Sequence, residues 1–167
     1  MEARAIFIDF FLLLAIYWQE MCTFAVETKH ITMNIQDYLN QADRFAANAG
    51  CRITEVDEQH AVAEMTVTAE HLNGGHVCQG GALFTLADLA IAALMNVSGQ
   101  LTFGIANSIM YVSSAKEGDT LRAEATQVAN HHKIPSVEVR VTNQSGTIIC
   151  HVTGMGYRKA STITAAP

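Results

Sequence analysis

The chain has 167 residues, half of them apolar and 16% charged, with a formal net charge of -6. Such a length and composition give a single folded domain and exclude a disordered chain. The acidic balance argues against nucleic acid as a partner, and an anionic ligand would need a local basic patch.

Residues Ala5 to Trp18 form an apolar run broken by Asp9. The run is shorter than the roughly 20 residues of a membrane span, and Asp9 adds a further cost. As a signal peptide it would have one basic residue ahead of it, Arg4, offset by Glu2, and no clean small-x-small cleavage site. We therefore read residues 1–32 as an extension upstream of the domain, with translation starting at Met21 or Met33. No membrane association is expected. The domain is expected over 33–160, with 161–167 as a tail.

From Ile35 to Ala47 apolar residues recur at three- and four-residue steps, which predicts a helix stopped by Gly50. Cys51 to Val56 and Ala61 to Val67 alternate apolar and polar residues and read as strands joined at Asp57 and Glu58. His71 to Gly81 carries four glycines and reads as a loop. Ala82 to Val97 is apolar almost all round, which predicts a helix buried on every side. Four β-branched stretches follow: Ile105 to Ser113, Thr120 to Asn130, Ser136 to Asn143 and Thr147 to Arg158. Turns at Lys116–Asp119, His132–Pro135 and Asn143–Gly146 separate them. The order predicts an α+β domain whose antiparallel sheet wraps one long helix.

The cysteines Cys22, Cys51, Cys78 and Cys150 are irregularly spaced with no CxxC pair. They read as reduced thiols of a cytoplasmic protein. HExxH is absent, and the adjacent His131 and His132 would point to opposite faces of a strand, so no metal is expected.

Asp88 is the only charged residue between His76 and Lys116, and it sits mid-helix among Leu86, Ala87, Leu89 and Ala90. A buried, unpaired carboxylate is costly, and such costs concentrate at functional sites. The plainer alternative pairs it with a buried arginine or a small wet gap. Gln79-Gly80-Gly81 precedes the helix, where the first amides have no internal partner and the helix dipole is positive. Glycines there admit a ligand to the backbone, so these amides can receive an oxyanion; in the plainer reading they only shape a turn. Gly80 and Asp88 are eight residues apart, or roughly 12 Å along a helix. One small carbonyl cannot touch both, so a two-fold dimer with shared interface sites is expected.

The segment NGGHVCQGGALFTLAD resembles the signature of the PaaI-like branch of hotdog thioesterases, and MTVTAEHLNG and YVSSAKEGDTLRAEA extend the likeness across about Asn34 to Lys159. The resemblance implies a hotdog fold, a homodimer or homotetramer (a dimer of dimers), and hydrolysis of acyl-CoA thioesters without a metal or other cofactor. Asp88 falls on the family's catalytic carboxylate and Gly80 on the amide that polarises the thioester carbonyl. Asn73 falls on the loop asparagine that positions water or substrate. Gln79 replaces a histidine that helps hold the thioester and the glycine turn. Relatives often carry a helper hydroxyl or acid on the strand Ile105 to Tyr111. Here Gly104, Ala106, Asn107 and Ser108 occupy that stretch and none matches.

Several alternatives stand beside this reading. Cys78 near His76 raises a thiol nucleophile, although nothing fixes a bond between them. A non-catalytic acyl-CoA binder would explain Gln79 as a lost activity. A hotdog hydratase would want a histidine beside the carboxylate. Lys133, Arg158 and Lys159 are the cations available for coenzyme A phosphates, with solvated surface charge as the plainer reading. Leu83, Phe84, Met95 and Met110 are apolar enough to line an acyl pocket, and the resemblance leans to aryl or medium-chain acyl groups.

Overall fold

A computed structural model describes residues 34–163. The apolar run at Ala5 to Trp18, the alternative starts at Met21 and Met33, and the last four residues lie outside this range.

The expected first helix is two helices. Helices α1 (Ile35–Ala42) and α2 (Arg44–Asn48) meet at Asp43, whose Oδ1 accepts from the Ala46 amide at 3.0 Å. Aspartate competes well for free amides, so it starts a new helix rather than continuing the old one. Strands β1 (Arg52–Val56) and β2 (His60–Thr66) follow, then a 3-10 turn at Ala69–His71. The central helix α3 (Gly80–Asn96) begins two residues ahead of the expected Ala82.

Strands β3 (Gln100–Tyr111), β4 (Thr120–Ala129), β5 (Ser136–Asn143) and β6 (Ile148–Thr162) complete the fold. Both β3 and β6 outrun their expected lengths, because Gln100 pairs with Thr162 and so extends each partner. Gly104 hid the start of β3: it lies at a register shift rather than at a break.

All pairings are antiparallel, in the order β1-β2-β4-β5-β6-β3. Leu121, Ala123 and Ala125, then Val137, Val139 and Val141, present every second residue to α3 and are buried. Each large side chain so covered contributes about 1.5–3 kcal/mol. Gly154 and Gly156 on β6 let the helix come close. A Cβ at Gly154 would lie 2.9 Å from the Ile91 Cδ1, and one at Gly156 2.6 Å from the Met95 Sδ.

The sheet therefore wraps the helix as expected, with one correction. Helix α3 is not covered all round: Gly81 and Asp88 are exposed, and Thr85 and Ala92 are half-buried. These positions follow the mixed i+4 and i+3 spacing of a single stripe. The strand nearest the stripe, β3, is an edge and carries exposed Phe103, Ile105, Met110 and Tyr111, with exposed Val112 just past its end.

Candidate active site

Asp88 lies on the open stripe of α3. It is not sealed in the core as its apolar neighbours suggest, because helical spacing turns it away from Leu86, Ala87, Leu89 and Ala90, which are buried. Its Oδ1 accepts from Asn107 Nδ2 at 2.8 Å. Among the described residues no arginine or lysine pairs with it; the ion pairs there are those of Arg122 with Glu55, Glu64 and Glu124 on the sheet. The packed protein behind Asp88 strips part of its hydration and pushes its pKa up. The Asn107 hydrogen bond works against that rise, and the negative charge of Asp43 adds to it. A carboxylate placed this way can accept a proton or attack a carbonyl.

The loop ahead of α3 is built by its own polar groups. Asn73 Oδ1 accepts from the Gly75 amide at 2.8 Å and the Val77 amide at 3.4 Å, while its backbone bonds Val77 and His76. The side-chain NH2 of Asn73 is left for other partners. The Gln79 amide donates to the His71 carbonyl at 2.7 Å, and the Cys78 amide to Ala115 at 2.8 Å.

Gln79 is the N-cap of α3, and its Oε1 accepts from the Gly81 amide. That bond occupies the amide expected to assist Gly80, and the Ala82 amide is taken by the Gln79 carbonyl at 3.0 Å. Among the described residues the Gly80 N–H meets no acceptor, so it is the open donor at this helix end. Replacing Gln79 with Ala is expected to lower stability by about 1 kcal/mol, the usual cost of a lost N-cap. The urea midpoint measures this.

Asn73 and Gly80 line one cleft of about 270 Å³, together with Val77, Leu83, Tyr111 and Ser113. Tyr111 Oη donates to the Gly80 carbonyl at 3.0 Å, and a Cβ on Gly80 would come within 2.7 Å of that oxygen. Gly80 is thus required for contact and not only for a turn. Asp88 does not line this cleft. It lies two helical turns along α3, roughly 12 Å away.

The cations stand elsewhere. Thr102 pairs with Arg158, whereas Tyr111 pairs with Cys150, so Arg158 is roughly 30 Å from the glycine loop of its own chain. Arg158 bonds the His131 carbonyl and Asn130 Oδ1, at 3.3 and 2.7 Å, and its Nε is buried without a partner among the described residues. Lys133 Nζ sits 5.7 Å from the centre of the Tyr157 ring. Lys159 is exposed on β6.

The thiol alternative finds no support in the geometry. Cys78 is buried, burial pushes its thiol pKa up, and its sulfur faces the Gln79 carbonyl at 3.8 Å. A thiol in that setting resists becoming a thiolate. Cys51 and Cys150 are buried as well, with pKa values pushed up to about 12. The hydratase alternative asks for a histidine beside the carboxylate, and the neighbour is Asn107.

Asn107, which matches no expected helper on this strand, and Tyr111 join the candidate site in the structure. Their signal was alternation: Asn107, Ile109 and Tyr111 share one face of β3, and that face looks at α3.

The family model for the thioesterase superfamily matches residues 74–150. A putative esterase of Archaeoglobus fulgidus is 39% identical over 124 residues, covering 74% of this chain and 80% of the relative. The acyl-coenzyme A thioesterase PaaI of Escherichia coli is 38% identical over 123 residues, covering 73% and 87%. The solved structure of the E. coli PaaI protein superposes with a TM-score of 0.73 at 34% identity, covering 75% of this chain and 91% of that one. A Streptococcus mutans protein solved with acetyl-CoA bound gives a TM-score of 0.64 at 25% identity, covering 66% and 90%. The chain belongs to the thioesterase superfamily, in its PaaI-like hotdog branch.

Proposed function

We propose that this protein hydrolyses acyl-CoA thioesters to the free acid and coenzyme A, at a site shared by two copies of the chain. The observation that carries the reading is Asp88, a carboxylate on an exposed helix stripe with no cation to neutralise it among the described residues. The activity of the E. coli relative and the acetyl-CoA bound to the streptococcal one point the same way.

In the general-base route Asp88 takes a proton from a water, and the resulting hydroxide adds to the thioester carbon. The carbonyl oxygen becomes negative and is received by the Gly80 amide. The C–S bond then breaks, and the leaving thiolate takes up the proton from Asp88. In the covalent route Asp88 itself adds to the carbon, expels the thiolate and leaves a mixed anhydride for water to cleave. Asn73 orients water or substrate with its free NH2. Gln79 holds the helix end, and Gly81 keeps the approach to it open.

The spacing of Gly80 and Asp88 favours assembly of each site from two chains, and the exposed apolar edge β3 offers the surface for it. A homodimer, alone or doubled into a tetramer, follows. Lys133, Arg158 and Lys159 are assigned to the coenzyme A phosphates. We take residues 33–160 as the catalytic domain. The three described cysteines are free thiols, and we place the enzyme in the cytoplasm.

A second reading, an acyl-CoA binder without turnover, draws on Gln79, whose carbonyl is spent on the cap. A panel of aryl and medium-chain acyl-CoA esters separates the two: thioester cleavage supports the enzyme, and binding without cleavage supports the module. The pH profile is a further check. The acting carboxylate must be ionised, and its raised pKa makes it protonate sooner on acidification. The kcat/KM is expected to fall on the acid side with a midpoint above the usual aspartate value of about 4.

A further inference from the structure

We propose that Asn107 is the positioning residue of this site, fixing one oxygen of Asp88 from the neighbouring strand and leaving the other oxygen to act. This rests on Asp88 being the acting carboxylate.

The backbone aims Asn107 deliberately. Gly104 pairs with Gly156, but the next pair is Ala106 with Met155, so one extra residue intervenes on β3. Such a bulge reverses the alternation of the strand. Without it Ala106 would face α3. With it Asn107 does, and its Nδ2 reaches Asp88 Oδ1 at 2.8 Å.

The amide is also clamped. Asn107 pairs across the sheet with Gly154, and a Cβ there would lie 2.8 Å from Asn107 Oδ1. That oxygen fills the notch the glycine leaves, buried and without a partner among the described residues. Turning the amide over would set its oxygen against the carboxylate, so only the NH2 can face an ionised Asp88. A buried carbonyl left unpaired is unfavourable, and such costs are retained where function needs them. Asp43, at the junction of α1 and α2, is the charge that acts on Asp88, whereas β3 brings the neutral Asn107.

The test measures kcat, KM and the acid limb of the pH profile, using the best substrate from the acyl-CoA panel. Asn107→Ala is expected to lower kcat roughly 10- to 100-fold, the scale of a misplaced reacting group, with KM held within about twofold. Its acid limb should move up by about one pH unit, because the lost donor favoured the ionised carboxylate. Asn107→Ser keeps a shorter donor and should fall between the two. Gly154→Ala, which touches Asn107 and not Asp88, should shift the limb in the same direction. If the alanine variant does not fold, the serine variant decides alone. Wild-type kcat and an unmoved acid limb in the folded Asn107 variants, with Asp88→Asn inactive, would overturn the positioning role and leave the Asp88 reading intact. Full activity in Asp88→Asn would remove both.

Discussion

Asp88→Asn is expected to reduce kcat/KM for acyl-CoA hydrolysis by roughly 10²- to 10⁴-fold, the range for loss of a positioned general base. The amide has nearly the same shape as the carboxylate but cannot accept a proton at neutral pH or form the anhydride. The fold should survive. Among the described residues Asp88 holds no ion pair whose loss would expose a charge, and its side chain opens onto the helix stripe. Stability should move the other way. A carboxyl whose pKa is raised on folding favours the native state below its unfolded pKa, and that contribution is lost as pH rises through the folded pKa. At pH 7 the ionised group therefore opposes folding, and the neutral Asn relieves it. A thermal melt at pH 7 should place the variant at or above the wild-type Tm, with a smaller gap at pH 4. Residual activity within tenfold of wild type would remove Asp88 from the mechanism.

The second large effect concerns assembly. Gly80→Ala sets a methyl group where Tyr111 Oη now lies, at 2.7 Å, and must displace either the tyrosine or the helix end. Loss of the oxyanion donor geometry is expected to cost roughly 10²- to 10³-fold in kcat. When Gly80→Ala and Asp88→Asn chains are unfolded together and refolded as an equal mixture, activity should return. Half the dimers are then mixed, and each has one site with both groups intact, so about one quarter of wild-type activity is expected for a two-fold interface. If each site belonged to one chain, mixing would restore nothing. The 12 Å along α3 makes the shared arrangement the geometrically sensible one.

Much of the fold could be read from residue spacing. The apolar helix, the flanking strands and the turn glycines all carry local signals, and local signals agreed with tertiary packing. What could not be read was coupled to distant partners. Asp43 looks like one more polar position in an amphipathic helix until its carboxylate is seen capping the Ala46 amide. Gly104 looks like the end of a loop until β6 pairs across it. The site divided along the same line. Asp88 and Gly80 stood out because a charge and a glycine pair are odd in their neighbourhoods, whereas Asn73 came only with the family resemblance. Asn107 did not stand out, because an asparagine in a strand is ordinary until a bulge decides which way it faces.

One consequence follows from the cap on α3. Gln79 is an amide where the family resemblance implies an imidazole, and an amide keeps the same charge from weak acid to weak base. The mouth of the helix therefore presents a constant electrical environment to the thioester. In the proposed mechanism proton transfer falls on a single ionisable group, Asp88, so the rate should climb to a plateau rather than trace a bell.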